Sequence, residues 1–138
     1  ILEPAGALSL TCLDKIPVGL LKDKNVVCIT SGGNNDISRY PTIIEKALLY
    51  QNLKHYFIIE FSQKPGELMK FINNVLGLND DITRFEYLKK NNKDYGGVLI
   101  GIEVEYPSNI TKICNNMQKF NFKYTQIKPN DLLYSYLI

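Results

Sequence analysis

The sequence predicts an α/β protein, α+β in its C-terminal part, where residues 55–127 form a ferredoxin-like βαββαβ domain. Within those residues, four segments of strand type alternate with two segments whose apolar residues recur every three to four positions. Ahead of them, an unbroken apolar run at 25–30 ends abruptly in Ser31-Gly32-Gly33, a pattern typical of a buried parallel strand. Apolar residues are 45% and charged residues 22% of the chain, which is typical of a globular protein.

The first 54 residues are dense in small residues and turns. Pro4 suits the first turn of a helix, and residues 16–24 are expected to be a surface connection. Residues 25–30 (NVVCIT) predict a strand covered on both faces, and an amphipathic stripe predicts a linker helix at 41–54. The expected domain organisation is therefore residues 1–40, the linker helix 41–54 and a domain at 55–138.

Two periodicities of the apolar residues predict the strands and helices of the second domain. Phe57, Ile59 and Phe61 alternate on one face of a strand. Two helices follow the 3.6-residue period, with the apolar stripes Leu68, Phe71, Ile72, Val75 and Ile110, Ile113, Met117, Phe120. The predicted order is strand 55–61, helix 67–77, strand 81–90, hairpin loop 91–97, strand 98–106, helix 107–120 and strand 121–127. The apolar tail at 128–138 has β-type composition and is expected to pair with the domain or dock on it.

Charge and composition exclude several function classes. The net charge is +2 with interspersed signs, which favours neither nucleic acid nor an anionic membrane as a partner. Three cysteines without a CxxC pair indicate reduced thiols in a cytoplasmic protein. With His55 as the single histidine, no metal site is expected. His55 is interpreted as a surface residue at a strand start, and Cys28 and Cys114 as core filler.

Five stretches together resemble biosynthetic threonine dehydratase (threonine ammonia-lyase), in a form with a single ACT-like regulatory domain. They are EPAGA at 3–7, SGGNND at 31–36, LKHYFIIEF and KPG within 53–66, NDDITRFEY at 79–87 and PNDLLYSYL at 129–137. The resemblance implies a pyridoxal 5'-phosphate enzyme that converts threonine to 2-oxobutanoate and ammonia for isoleucine synthesis. It implies isoleucine or valine as the effector of an ACT-like domain at 55–138. Residues 1–40 would be the C-terminal remnant of a fold-type II (tryptophan synthase β-like) catalytic domain.

The resemblance assigns the 31–36 loop to the cofactor. Ser31 would hydrogen-bond the pyridine nitrogen, Gly32 and Gly33 would let the backbone pass close to the ring, and Glu3 and Gly6 would line the same pocket. By pattern alone, Ser-Gly-Gly-Asn is a common turn. The family's Schiff-base lysine, in a Ser-Phe-Lys setting, and its phosphate loop are not in the sequence. We therefore expect a fragment with no catalytic residue, no covalently held cofactor and no activity alone, whose partner is the missing N-terminal catalytic portion.

The turn at 63–69 (QKPGELM) predicts the effector site, since ACT domains bind amino acids there. Gly66 would allow close approach, and the free N–H groups near Glu67 and Leu68 favour a carboxylate. The alternative without a ligand is a tight turn in which the ring of Pro65 fixes the φ of that residue.

A second segment, NDDIT at 79–83, is predicted to complete that site. Asp81 and Thr83 would accept the effector's ammonium group, and Leu68, Ile82 and Phe85 would supply an apolar wall. ACT sites often take this segment from a facing subunit, which predicts a homo-oligomer, a dimer or a tetramer. By pattern alone, a solvated turn is the commoner outcome.

Two other functions fit the same element order. One is an ACT-like oligomerisation module that binds no effector. The other is the RNA-recognition fold, which requires stacking aromatics in a Lys/Arg-Gly-aromatic run. The third strand (GGVLIGIEVEY, 96–106) lacks that run, so RNA binding is disfavoured.

Overall fold

The computed structural model describes residues 2–34, 36–87 and 94–138. They form two compact units, Ile1–Ile43 and Ile44–Ile138. The predicted βαββαβ order is confirmed in the second unit. None of the helices in the described residues has the length and apolar character needed to cross a membrane.

The first unit consists of short helices joined by irregular chain. Helix α1 (Pro4–Thr11) begins at Pro4, as predicted. The segment predicted as a surface connection contains a short helix, α2 (Val18–Leu21). Single 3₁₀ turns lie at Leu13–Lys15 and Ile37–Arg39, and Asp36 stabilises the second by accepting a hydrogen bond of 3.0 Å from the Ser38 N–H.

The predicted strand at 25–30 is wrong. These residues have no regular structure, and Val27 and Ile29 are 87% and 80% exposed. A parallel strand needs a neighbour for its N–H and C=O groups, and every strand of the described sheet lies in the second unit. Cys28 is accordingly not strand core: it is half-buried, and its thiol donates to the Ser9 carbonyl oxygen at 3.4 Å.

Helix α3 (Tyr40–Tyr50) corresponds to the predicted linker helix. It ends because Asn52 adopts a left-handed φ of 56°, and the Leu53 N–H then donates to the Leu48 carbonyl oxygen at 2.9 Å. This is a common way for a helix to satisfy its last carbonyl groups. The turn delivers the chain directly into the first strand.

The second unit is a four-stranded antiparallel sheet with two helices on one face. Its strands are β1 (Lys54–Ser62), β2 (Asp81–Tyr87), β3 (Tyr95–Glu103) and β4 (Lys123–Ile127), in the order β2-β3-β1-β4. Helix α4 (Glu67–Val75) follows β1, and α5 (Asn109–Lys119) follows β3. The core between sheet and helices is formed by apolar side chains of all these elements, including Phe57, Ile59, Phe61, Phe71, Val75, Ile100, Ile113 and Met117.

The predicted helix stripes are only partly core. Phe71 and Val75 of α4 are fully buried, but Leu68 is 40% exposed and Ile72 is similarly exposed. On α5 the buried positions are Ile113 and Met117. Cys114 is partly buried against this core, as predicted. Part of the apolar stripe of α4 therefore lies at the surface.

The tail, whose composition is of β type, forms a helix on the other face of the sheet. The tail forms α6 (Leu132–Leu137), and Tyr134, Leu137 and Ile138 pack against Tyr56, Leu99 and Ile127. Its docking is confirmed, but its β-type reading is wrong. Pro129 has no N–H and cannot extend the β4 ladder, and Asp131 turns the chain by accepting a hydrogen bond of 2.7 Å from the Lys128 N–H.

The β2–β3 hairpin differs from the prediction. Strand β3 begins at Tyr95, opposite Ser62 of β1, so residues 95–97 are strand rather than loop. Residues 88–90 of the predicted strand and 91–93 of the predicted hairpin loop lie outside the described residues. A β-bulge at Thr83 places Ile82 opposite Ile102 and Arg84 opposite Gly101. Beyond the bulge, alternate residues of β2 change face.

His55 is buried, not a surface residue, with 9% of its area exposed. It lies on the core face of β1, opposite Ile102. One ring nitrogen, Nε2, lies 2.9 Å from the Asn52 carbonyl oxygen, and the other, Nδ1, lies 3.3 Å from the amide nitrogen of Gln126. Burial lowers the pKa of His55, and the bond to Asn52 opposes this in part.

Candidate functional site

A pocket of about 180 Å³ lies where β1 turns into α4. It opens at the surface of the second unit beside strand β2. Its lining combines the end of β1, the turn, the start of α4 and the outer half of the β2–β3 hairpin. The lining residues are Phe61, Ser62, Lys64, Gly66, Glu67, Leu68, Phe85, Tyr87 and Val98.

The turn that forms one rim depends on Gly66. This residue precedes the first residue of α4 and has a φ of 89°, a left-handed conformation that glycine adopts without strain. Its carbonyl oxygen accepts the first helical hydrogen bond, from the Lys70 N–H at 2.9 Å. On the other side, the Gln63 N–H donates to the Asp94 carbonyl oxygen at 2.8 Å. The turn therefore points the N-terminus of α4, with its N–H groups, toward the pocket rim.

The floor of the pocket is aromatic. The Phe61 ring lies 5.4 Å from the Phe71 ring, 5.5 Å from the Phe122 ring and 6.4 Å from the Phe85 ring, measured between centroids. These tilted and edge-on contacts fix Phe61 in place. Phe85 and Tyr87 remain 38% and 37% exposed, so their rings retain apolar surface that a ligand could cover. A small branched side chain suits such a surface.

One of the rim residues, Lys64, is a cation. Lys64 is exposed and forms no ion pair with another of the described residues. Glu67, in contrast, pairs with Lys70 at 3.3 Å, and the Lys70 ammonium lies 5.1 Å from the centre of the Phe122 ring. A helix N-terminus and a free ammonium group together favour a carboxylate. The pocket can therefore bind a small molecule with a carboxylate at one end and an apolar group at the other.

The structure brings together four of the seven residues predicted for the effector site. Gly66, Glu67, Leu68 and Phe85 line the pocket. The other three do not line it: they lie two to four residues before Phe85 on β2, roughly 7–13 Å from it by the rise of a strand.

Each of those three has a different surrounding. Asp81 is exposed, Ile82 packs against the core, and Thr83 is exposed at the bulge. The adjacent Asp80 holds its own turn by accepting a hydrogen bond of 2.6 Å from the Gly77 N–H.

Sequence reasoning missed five lining residues, among them Phe61, Lys64 and Tyr87. Phe61 was recognised as a core residue, because its alternation with Phe57 and Ile59 indicates a buried face. Tyr87 and Val98 face each other across the β2–β3 ladder, and that register cannot be read without the position of the bulge. Lys64 lies in the QKPG stretch and could have been found from its place just before the helix N-terminus.

The residues predicted for the cofactor lie close together in the first unit. Gly6 is buried in α1, and a β-carbon on it would run into the carbonyl oxygen of Ser31. Gly32 has a φ of 77°, and a β-carbon there would collide with the carboxylate of Glu3. Two glycines thus let the 31–32 backbone lie directly on the N-terminal end of α1. Gly33 follows in exposed, irregular chain, and Ser31 is exposed.

Metal ligation has no basis in the described residues, where no three His, Cys, Asp or Glu side chains cluster closely enough to hold an ion. Cys12, Cys28 and Cys114 are free thiols. The pocket at the start of α4 and the glycine contact in the first unit are therefore the two candidate sites.

Residues 45–137 match a family described as the C-terminal regulatory domain of threonine dehydratase. The matched region contains the whole sheet, both core helices and the pocket. The chain belongs to this family. The fold of a threonine dehydratase regulatory domain is therefore the setting in which the pocket has to be interpreted.

Curated relatives of the regulatory domain extend the match to the first unit. The L-threonine dehydratase biosynthetic IlvA of Lactococcus lactis subsp. lactis (strain IL1403) is 48% identical over 136 residues, which are 99% of this chain and 32% of the relative. The protein of the same name from Staphylococcus saprophyticus is 48% identical over 138 residues, 100% of this chain and 32% of the relative. That of Bacillus subtilis (strain 168) is 47% identical over 136 residues, with 99% and 32% covered. The chain spans about a third of the length of these relatives.

Proposed function

We propose that this chain is the C-terminal regulatory part of a cytoplasmic, pyridoxal-phosphate-dependent threonine dehydratase, and that isoleucine or valine binds the pocket at the start of α4. The parent enzyme would convert threonine to 2-oxobutanoate and ammonia in isoleucine biosynthesis. The observation that carries the effector proposal is that Lys64, which has no ion pair with another described residue, and the N-terminus of α4 lie beside an aromatic floor. The family match and the names of the relatives support the parent activity.

The proposed pose follows from the chemistry of the rim and the floor. The effector carboxylate would lie against the N–H groups after Gly66 and the ammonium of Lys64. The branched side chain would cover the rings of Phe61 and Phe85, and Leu68 would close one side. Glu67 would meet the effector's ammonium group, for which it would have to share its carboxylate with Lys70.

The segment that contains Asp81, Ile82 and Thr83 does not reach this pocket within one chain. We propose that Asp81 and Thr83 act from a second copy in a homo-oligomer, while Ile82 stays in the core of its own domain. This assignment predicts that isoleucine affinity depends on protein concentration, since a monomer would offer an incomplete site.

Calorimetric titration tests the effector site. L-Isoleucine should bind residues 1–138 saturably, with L-valine weaker and L-threonine weaker still. Lys64→Ala should raise the dissociation constant about fivefold, and Phe85→Ala about tenfold or more, from the lost charge contact and the lost apolar cover. Lys112→Ala is the matched control, because Lys112 is an exposed lysine of α5 outside the pocket lining. Absence of isoleucine binding in a folded oligomer would overturn the proposal.

The first unit fits one side of the proposed cofactor. Gly6 and Gly32 let the 31–32 backbone lie against the start of α1 and the Glu3 side chain, and Ser31 lies exposed beside this contact. When bound, pyridoxal phosphate would supply the electron sink for elimination of water from threonine. Ser31 would hydrogen-bond its ring nitrogen, and Glu3, Gly6, Gly32 and Gly33 would line the ring. We expect no threonine turnover by this chain with added cofactor, and measurable turnover would contradict this.

An assembly role without effector is the second candidate. It is favoured by the apolar side chains that α4 leaves exposed, Leu68, Met69 and Ile72. Light scattering on Met69→Asp distinguishes the two roles. Loss of the oligomer with no isoleucine binding in the parent chain would favour assembly alone.

A further inference from the structure

Glu45 of α3 joins this helix to β1 through both oxygens of its carboxylate. The Tyr56 hydroxyl donates a hydrogen bond of 2.5 Å to Oε1, and the Lys54 ammonium forms an ion pair with Oε2. The pair is sheltered, since the Lys54 and Glu45 side chains are 12% and 27% exposed. Because two donors on one strand grip the two oxygens, they fix the rotation of α3 as well as its distance from β1.

The C-terminal helix braces the same tyrosine. The Tyr134 ring meets the Tyr56 ring edge-on, with centroids 6.1 Å apart. Burial and the bond to Glu45 raise the pKa of Tyr56, and burial and the Glu45 charge raise the pKa of Tyr134. Both phenols therefore stay protonated at neutral pH, and Tyr56 remains a donor to Glu45 under physiological conditions.

Strand β1 connects this contact to the pocket. It begins with Lys54 and Tyr56, and it ends with Phe61 and Ser62, which line the pocket. It is hydrogen-bonded on both sides, to β3 and β4, and such a rigid element can carry energetic coupling from one end to the other. Helix α3 begins at Tyr40, on the other side of the division between the two units at Ile43.

We infer that Glu45 is a positioning residue that couples the pocket to helix α3, so that an effector in the pocket proposed above changes how firmly α3 is held on β1. Lys54 and Tyr56 are its partners in this role. The coupling residue lies outside the pocket, and its loss uncouples α3 without removing any group that would touch the effector. Glu45, Lys54 and Tyr56 thus form a site of regulation rather than of binding.

Hydrogen exchange on residues 1–138, with and without saturating L-isoleucine, tests this coupling. Isoleucine should change the exchange rates of the α3 amides after Ile44 by about fivefold or more in the parent chain, which corresponds to the weakest typical allosteric couplings. In Glu45→Gln and Tyr56→Phe this change should be lost, while the dissociation constant for isoleucine by calorimetry stays within about twofold. Glu60→Gln is the matched control. Glu60 lies on β1, on the same face as Tyr56, and its ion pair with Lys123 of β4 is exposed. This variant should behave as the parent chain does.

The outcomes separate this inference from the proposed function. Isoleucine binding without any change in α3, or a change that survives both variants, overturns the coupling and leaves the effector site intact. If isoleucine does not bind, the result contradicts both the proposed effector site and the coupling of that site to α3. Ligand-free exchange then decides the positioning role: α3 amides about tenfold faster in Glu45→Gln support it, and unchanged rates overturn it.

Discussion

Gly66 is the residue on which the shape of the pocket most directly depends. Its φ of 89° is unfavourable for every residue with a β-carbon, yet a β-carbon built there would meet no atom within 4 Å. The cost of replacing it is therefore purely conformational. A substitution at Gly66 therefore measures backbone strain alone, whereas at a buried glycine the cost usually combines strain with steric collision.

Gly66→Ala is expected to lower the free energy of unfolding by about 1–2 kcal/mol, the cost of a left-handed residue with a side chain. Gly97→Ala is its control, since a β-carbon at Gly97 would lie 3.8 Å from Ile58, an ordinary contact. That variant should change stability by less than about 0.5 kcal/mol. Urea unfolding of both variants measures the difference, and equal costs would show that the strain argument is wrong.

His55 makes stability depend on pH. Its pKa is lowered from 6.5 in the folded chain because burial disfavours the charged ring. Above pH 6.5 the ring is neutral in both states, and its contribution to stability is fully present. As pH falls below 6.5, the unfolded chain binds the proton first, so stability declines until the lowered folded pKa is passed.

The pH dependence is measured by urea unfolding between pH 7.5 and pH 5. The free energy of unfolding should fall over this range, and His55→Gln should remove part of that decline. A His55→Gln profile that parallels the parent profile would mean that other groups cause it.

Helix α4 has a buried side and an exposed side, which should differ in their contribution to stability. Phe71 packs among Phe61 and Phe122 with its ring fully buried, whereas Met69 is 67% exposed. Phe71→Ala should destabilise the chain by about 3–5 kcal/mol, because it removes a ring from an aromatic cluster. Met69→Ala should cost less than about 0.5 kcal/mol. Thermal unfolding of the pair checks this, and similar costs would contradict the assignment of the two sides.

Local patterns predict the elements that are stabilised by their own neighbours in sequence. The alternation in β1 and the stripes of α4 and α5 suffice because each buries one face against the others. Residues 25–30 have an equally clear pattern, but a parallel strand depends on partners that no local pattern reveals. The composition of the tail is a poor guide for a similar reason. Tyr and Leu are common in strands, but Pro129 and Asp131 turn the backbone away from β4 before α6 begins.

The candidate site shows the same limit at finer scale. Gly66, Glu67 and Leu68 are found from sequence because one turn holds them together. Phe85 joins them only through β-sheet register, and Ile82 shares its face because of the bulge at Thr83. A bulge leaves no certain mark in the sequence, so the wall of a pocket formed across strands cannot be assigned by alternation alone.

At the scale of the whole molecule, the two compact units differ in how they are stabilised. Both apolar clusters built from buried residues lie in the second unit, one on each face of its sheet. In the first unit, Gly6 is the buried helical residue, and Val27 and Ile29 expose most of their surface. The second unit therefore has the core that cooperative unfolding requires.

A chain shortened to residues 37–138 is therefore expected to keep the stability of the longer one. It retains α3 with its contact to β1, the sheet and both clusters. Its free energy of unfolding by urea, followed through tyrosine circular dichroism, should lie within about 1 kcal/mol of the value for residues 1–138. The positive control is Phe57→Ala in the shortened chain, which removes a fully buried ring. It must lower the free energy of unfolding by about 3 kcal/mol or more if the assay reports on the core. A large loss on shortening alone would mean that the first unit stabilises the regulatory domain, and that the domain cannot be treated as an independent sensor.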